Sequence, residues 1–433
     1  MDVNVLRIEK LSHDGRGITH HEDGKLVFVR NGLPDEQVIL EIKKKQRHYD
    51  EALAVEVHNP SPQRVVPKCA AFGRCGGCNL QHLEVGGQIL AKQDSLKERL
   101  AQVGIEPQEW LAPLQAKVWG YRHKARLGVR FVRKKERVLI GFREAESNFL
   151  TDMQRCEVLH PSVGEHLEEL AALLGALSIR DQIAQIEVAV DDTHTALIIR
   201  HLKPFTPEDL AKLEALYTQF GWVVLLQPKG LDSVHQVYPA EPVQLSYTVQ
   251  GKTPIHIPFQ AGDFTQVNFS LNAKMIRQAL DLLNLQGSET VLDLFCGLGN
   301  FSLPIAQYAG RVLAVEGEAT MLNRARENAA RQGINNIEFF VSNLFELAKT
   351  APFYTQVDQL FLDPPRAGAE AVVQNIEYWQ PKRIVYVSCD PVTLVRDLAI
   401  LVKDKKYKLE KIGVMDMFPH TSHLETMALL TRK

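Results

Sequence analysis

The 433-residue sequence predicts a multidomain α/β chain with a small N-terminal β-barrel over residues 1–58, a central α+β domain over 59–260 and a C-terminal Rossmann-like, doubly wound domain over 261–433. Three observations carry this expectation. The length exceeds one ordinary domain and suggests roughly three. The first 58 residues are short β-rich runs separated by turn signals. After residue 260, strand and helix patterns alternate, as a parallel sheet with crossover helices requires.

In the N-terminal segment, β-rich runs cover 5–11, 24–34, 37–46 and 51–59, punctuated by Asp14-Gly15, Asp23-Gly24 and Asn31-Gly32. Strands at that spacing suggest a small closed barrel. Lys43, Lys44, Lys45 and Arg47 follow the third run, and such a charge run is most often a solvated edge. A proline-punctuated connector, 59–67, leads into Cys69, Cys75 and Cys78. Ile89, Leu96, Leu100 and Val103 then recur at helical spacing and stop at Gly104, a fitting C-terminal cap. The central stretch is mixed, with strands expected at 138–143, 183–190, 195–202 and 221–228 and a helix at 161–177. In the last third, strands are expected at 290–295, 311–316, 337–342, 357–363 and 383–389, with a helix at 321–333.

Composition removes several classes. Hydrophobic residues make up 45% and charged residues 24%, as in ordinary globular chains. No apolar run reaches the roughly 18 residues of a membrane-spanning helix. The opening lacks the basic-then-apolar pattern of a secretory signal, so none is expected. The 27 glycines and 21 prolines exclude collagen-like chains and argue against disorder. A net charge of −2 does not announce a nucleic-acid partner, yet residues 117–143 hold ten Lys or Arg against one acid, Glu136. Six cysteines in a chain this long do not make a secreted disulfide framework. A reducing cytoplasm with metal-bound or catalytic thiolates fits them better.

The chemistry-bearing residues fall at strand ends of the C-terminal domain, where open α/β sheets bind ligands. The first strand runs into Asp293-Leu294-Phe295-Cys296-Gly297-Leu298-Gly299-Asn300, and Glu316 ends the next, placed to accept two ribose hydroxyls. A dinucleotide site would complete G-x-G-x-x-G; this form resembles the S-adenosylmethionine (AdoMet) loop of class I methyltransferases, with other nucleotides left open. Asn343 ends the third strand, where an adenine contact is usual. Asp363-Pro364-Pro365-Arg366 ends the fourth, stiffened by its prolines. Cys389 ends the fifth, and Pro391 suits the first turn of a following helix, whose positive end is expected to lower the thiol pKa. A lone cysteine is ordinarily buried structure, the expectation for Cys296; the place of Cys389 beside a cofactor crevice favours a nucleophile. Glu425 stands where a final apolar strand begins, so burial is expected to raise its pKa toward that of a general base. His420 and His423 are further candidates for that role.

Together the blocks 264–268, 293–300, 363–366, 388–397 and 416–425 resemble the RNA uracil-C5 methyltransferases, in the expected order across the C-terminal domain. The resemblance implies AdoMet-dependent methylation of a uridine. Cys389 would add to carbon 6 of uracil, making carbon 5 nucleophilic, and Glu425 would remove the carbon-5 proton. Gln266, Phe295, Asn300, Glu316, Asn343 and Asp363 would line the pocket for AdoMet and the target base, with Phe264 stacked on the flipped base.

Residues 1–58 are similar to a TRAM domain, an OB-like RNA-binding barrel, which gives the basic run at 43–47 a partner. Cys69, Cys75, Cys78 and Cys156 are similar to the [4Fe-4S] ligands of ribosomal-RNA members; spacing alone leaves zinc open. Transfer-RNA members are expected to lack both features, so the chain resembles most the enzymes acting on 23S ribosomal RNA. Trp119, Tyr121, Arg122, Lys124, Arg126 and Arg130 then read as an RNA surface of cations and stacking rings, or alternatively as the solvated face of strands. The expected partner is 23S ribosomal RNA, in the cytoplasm, with no membrane and no obligate protein partner. The alternatives are a transfer-RNA uridine-C5 methyltransferase and an RNA-binding ribosome-assembly factor whose methylation is secondary.

Overall fold

The computed structural model describes residues 5–348 and 350–433; residues 1–4 of the predicted barrel segment lie outside the described residues. No helix among those described is long and apolar enough to cross a membrane.

Six strands, Val5–Arg7, Lys10–Leu11, Gly17–His20, Leu26–Arg30, Gln37–Lys45 and Tyr49–His58, form the N-terminal sheet in the order first, fifth, sixth, fourth, third, second. Alternation does the folding: Val27 and Val29 point inward from one strand, Ala52 and Ala54 from its neighbour, closing on Ile8 and Val38. Lys43, Lys44, Lys45 and Arg47 stand exposed at the end of the longest hairpin.

The central sheet orders its strands His235–Tyr238, Val223–Gln227, Thr195–His201, Ile183–Val190, Lys124–Val132 and Arg137–Gly141. Helices Leu167–Gly175 and Pro207–Phe220 close one apolar core against it. The second of these begins with a capping box, Thr206 with Asp209, and ends at Gly221 in the left-handed region, φ 70°. The helix expected over 161–177 is two pieces, Pro161–Gly164 and Leu167–Gly175. The Gly164 carbonyl turns out of the first to accept the Cys156 N–H at 2.8 Å.

The C-terminal sheet has eight strands in the order Ile337–Val341, Arg311–Glu316, Thr290–Leu294, Gln359–Leu362, Arg383–Ser388, Glu425–Arg432, Tyr407–Met415, Glu109–Trp110. The first five are parallel, and Glu425–Arg432 runs antiparallel to both its neighbours. The order reverses between Thr290–Leu294 and Gln359–Leu362, which opens the crevice.

The expected division at residue 260 does not follow the packing. Helix Val85–Gln102 buries Ile89, Leu96 and Leu100 against Leu360, Ile384, Leu398 and Ile412, on one face of the C-terminal sheet. Glu109–Trp110 then adds an edge strand, pairing with Lys411 and Ile412. On the other face, the hairpin of Leu245–Gln250 and Pro254–Phe259 packs with helix Phe269–Leu283. Helical periodicity announced the apolar stripe of Val85–Gln102 but not the surface it covers.

Leu96 is fully buried at that contact. Leu96→Ala is expected to cost about 2–5 kcal/mol in urea unfolding of the full chain; a loss below about 0.5 kcal/mol, the level of a surface substitution, contradicts the packing described.

Candidate active site

Three neighbouring strand ends converge. Asp363 follows Gln359–Leu362, Cys389 follows Arg383–Ser388, and Glu425 opens the antiparallel strand between Ser388 and Met415, with rungs Ser388 to Thr426 and Met415 to Glu425. Cys389 lines a cleft of about 340 Å³ with Arg366, Asp390 and His423; Arg99 of the upstream helix and His13 of the barrel form the facing walls. A second cleft of about 600 Å³ shares Asp14, Gly15, Ser422 and His423 with the first, so the two adjoin between the barrel and the cysteine loop.

Burial sets the protonation of this cluster. The Cys389 thiol is pushed up to about 12 by desolvation, then by Glu425 and Asp363; the Arg366 guanidinium pulls the other way. Burial also holds Glu425 well above the carboxylate range, with Asp363 adding to the rise, and puts Asp363 at about 7. The expectation that a helix N-terminus lowers the Cys389 pKa is therefore overturned. Asp390 caps helix Pro391–Ala399, its carboxylate accepting the Val392 and Thr393 N–H groups at 2.9 and 3.1 Å. Those donors are spent on the cap, and its negative charge offsets the helix dipole.

His420 is also not a free base. It is 2% exposed, stacks on Trp119 at 3.7 Å between ring centroids, and its pKa is pushed down to about 4 by burial. Its backbone carbonyl accepts the Asn79 and Leu80 N–H groups, making it a rivet between segments. His423 stays exposed on the cleft wall.

In the cofactor crevice, Phe295 adopts φ 68° and the Phe295 and Cys296 N–H groups both bond Val315 O, which folds the glycine turn over the next strand. Glu316 accepts the Gly297, Gly317 and Glu318 N–H groups at 3.0, 2.7 and 3.2 Å, leaving lone-pair capacity on a four-site carboxylate. Asn343 is exposed at the end of the third strand and accepts the Phe345 N–H, and the Phe345 ring lies 5.8 Å from that of Phe295. Asn300 is engaged: its amide pairs reciprocally with Asn272 at 2.8 and 3.0 Å and accepts the Tyr247 hydroxyl. Gln266 is half-buried, and Phe264 stands 68% exposed. Cys296 is buried, as expected. Asp293, quoted in the motif but given no role, is pushed up to about 8 by burial and accepts the Ser302 hydroxyl. Arg366 was likewise quoted in its motif without a role, and Asn272 and Tyr247 were missed because nothing in their local pattern marks them.

The basic segment divides. Arg126 and Arg130 are exposed, and Arg126 pairs with Glu187 at 2.8 Å. Tyr121 is 1% exposed and donates to Pro419 O, so it is core rather than RNA surface. Lys124 donates to the carbonyls of Ala261 and Asp263, and burial lowers its pKa to about 8; it braces the loop before Phe264 instead of facing solvent. Arg122 lies over the Phe142 ring at 5.6 Å, and Trp119 is half-buried between His420 and the Lys68 ammonium. Strand alternation turns every second residue inward, which composition could not resolve.

Cys69, Cys75, Cys78 and Cys156 line one enclosed cavity of about 20 Å³ with Arg122 and Met153. Burial pushes Cys78 up to about 12 and Cys156 to about 11, and the neighbouring Cys69 and Cys75 add to both rises. Among the described residues, no three His, Cys, Asp or Glu are gathered as ligands of a single metal ion.

The TRAM domain model matches residues 3–55, and the tRNA (Uracil-5-)-methyltransferase model matches 234–433. A 23S rRNA (uracil(1939)-C(5))-methyltransferase RlmD from Francisella tularensis subsp. novicida is 48% identical over 98% of this chain and 96% of its own length. The protein of the same name from Hahella chejuensis is 47% identical over 99% and 97%. The chain belongs to the RlmD family.

The RlmD-type fold extends further than the sequence suggested. The crystal structure of a Pyrococcus abyssi tRNA (uracil-54, C5)-methyltransferase with S-adenosyl-L-homocysteine superposes with a TM-score of 0.74 at 21% identity, over 99% of this chain and all of that one. A transfer-RNA enzyme thus shares the fold across the upstream domains. The presence of those domains does not separate ribosomal from transfer-RNA members of the RlmD-like fold, contrary to the expectation above.

A thiol held near 12 is almost wholly protonated at neutral pH, and its reactive fraction grows as pH rises. Iodoacetamide labelling of Cys389, located by peptide mapping, is expected to accelerate about tenfold per unit from about pH 7 to about pH 9. A plateau below about pH 8 contradicts the protonation described, since it means a thiolate already formed in the free protein.

Proposed function

We propose that the protein methylates carbon 5 of a uridine in 23S ribosomal RNA, the nucleotide its relatives' names number 1939, using AdoMet. The observation that carries the chemistry is the convergence of Asp363, Cys389 and Glu425 on adjacent strand ends, close enough for both carboxylates to act on the thiol, with Cys389 and Arg366 lining the cleft. The glycine turn 295–299, Glu316 and Asn343 hold AdoMet, which supplies an electrophilic methyl group when bound.

Cys389 loses its proton to solvent, and its Sγ bonds to carbon 6. The carbon 5–carbon 6 electron pair moves toward oxygen 4, which makes carbon 5 nucleophilic. Carbon 5 takes the methyl group as its bond to the sulfonium sulfur breaks, leaving S-adenosyl-L-homocysteine, and the Glu425 carboxylate then takes the carbon-5 proton. The double bond then re-forms as the Sγ–carbon 6 bond breaks and the thiolate leaves. Both groups start protonated; once bonded, Cys389 is a neutral thioether that sets no like charge beside Glu425, and Glu425 gives its own proton to solvent before it accepts the carbon-5 proton. Arg366, on the cleft wall, favours each anion in turn. Phe264, exposed on a loop braced by Lys124 and Arg324, offers the flipped base a stacking face. The adjoining clefts between barrel, cysteine loop and sheet, the larger with Arg16, Arg30 and Arg143 on its walls, take the RNA strand.

Cys69, Cys75, Cys78 and Cys156 line a common cavity, and four thiolates are the donor set a [4Fe-4S] cluster takes. Methyl transfer needs no redox step, so the cluster's part is to hold the cysteine loop in place. Asn79, next to Cys78, bonds the barrel at Asp14 O and the 420–424 loop at Ser422. Cys75→Ser is expected to lose the cluster's visible absorption and to weaken RNA binding while AdoMet binding persists; undiminished RNA affinity without the cluster contradicts this role.

With methyl-labelled AdoMet, unmodified ribosomal RNA is expected to yield labelled 5-methyluridine, and transfer RNA none. Label in transfer RNA alone overturns the substrate, and label in neither overturns the reaction. Cys389→Ala is expected to abolish turnover, and Glu425→Gln to slow it by about 10²–10⁴-fold with adduct accumulating.

A further inference from the structure

Helix Val85–Gln102 reaches the far end of the chain through two polar side chains one turn apart. Lys92 Nζ donates to Asp416 Oδ1 at 2.7 Å and to Phe418 O at 3.1 Å, in an ion pair only 2% and 0% exposed. The other Asp416 oxygen is buried with no partner among the described residues, so Lys92 is what compensates that charge. Gln88 Oε1 accepts the His420 N–H at 2.7 Å, and its Nε2 lies 3.2 Å from His420 Nδ1 while donating to Leu80 O and Leu83 O. His420 takes φ 67° there, a left-handed turn that is uncommon outside glycine and is pinned here by the Gln88 contacts.

These contacts matter because of where Glu425 stands. Segment 416–424 connects Tyr407–Met415 to Glu425–Arg432, and Met415 to Glu425 is the last rung before that loop. A terminal rung next to an unrestrained loop frays. The loop's first half is held at 416, 418 and 420 by the upstream helix. We infer that Gln88 and Lys92 are positioning residues: a two-point latch that fixes the 416–424 loop and so places the Glu425 carboxyl against the carbon-5 proton of the adduct. The inference rests on the methyltransferase reading above.

The latch serves the step that Glu425 performs, after Cys389 has bonded and carbon 5 has been methylated. Its loss should therefore separate two rates that a general loss of structure lowers together. Gln88→Leu and the charge-balanced double variant Lys92→Met/Asp416→Leu are compared with the parent chain, each with intact AdoMet binding, on ribosomal RNA and methyl-labelled AdoMet. Denaturing gels follow the labelled protein–RNA adduct, and nucleoside analysis follows released 5-methyluridine. The expected result is adduct formation near the parent rate with release slowed about 10- to 100-fold, so that labelled adduct accumulates. Release at the parent rate in both variants, or formation and release falling in parallel, overturns the latch. Absence of 5-methyluridine from the parent chain itself removes instead the reading on which it rests.

Discussion

Cys389, Asp363 and Glu425 meet at the carboxyl edge of the sheet, and desolvation raises the pKa of all three, which opposes their being charged together. That crowding governs the rest of the site. A thiolate beside two carboxylates is costly where water is excluded, so the resting protein keeps its nucleophile and base protonated. The charge each must carry appears only in turn, as bonding to the base removes the previous one. Arg366, which like Arg99 lines the cleft and pairs with no carboxylate among the described residues, suits a site where the anion moves.

The surrounding architecture supports that corner from both ends of the chain. The parallel strands bring Asp363 and Cys389 side by side, and the antiparallel last strand brings Glu425 between them and the edge. Upstream, helix Val85–Gln102 fills one face of the sheet, and its polar side grips the loop leading to Glu425. The cysteine loop, the barrel and Ser422 meet at Asn79. The RNA-facing parts and the catalytic parts are thus joined through side chains remote in sequence.

Much of the C-terminal domain was legible because parallel strands are written as short continuous apolar runs, and each strand end carries its chemistry within a residue or two. The strands at 311–316, 183–190 and 383–388 lie where the patterns placed them. What stayed hidden depended on distant partners. Lys92 and Gln88 read as ordinary polar positions of a surface helix until Asp416 and His420 arrive from more than 300 residues away. Tyr121 and Lys124 looked like an RNA surface because composition counts cations without seeing which alternate residues turn inward. The Cys389 pKa was misjudged because burial and the carboxylates of Glu425 and Asp363, the latter two brought in from other strands, outweigh a helix end whose donors Asp390 already caps.

The most direct test of this account is to trap the protein on a ribosomal RNA fragment carrying 5-fluorouridine at the target position, digest both, and sequence the cross-linked peptide by mass spectrometry. Fluorine cannot leave as a cation, so the adduct persists after methyl transfer. The expected result is a single peptide bonded to the base through Cys389, with the methyl group on the trapped nucleotide. Attachment through another cysteine, or methylated RNA with no covalent intermediate, would contradict the assignment of that strand end as the nucleophile.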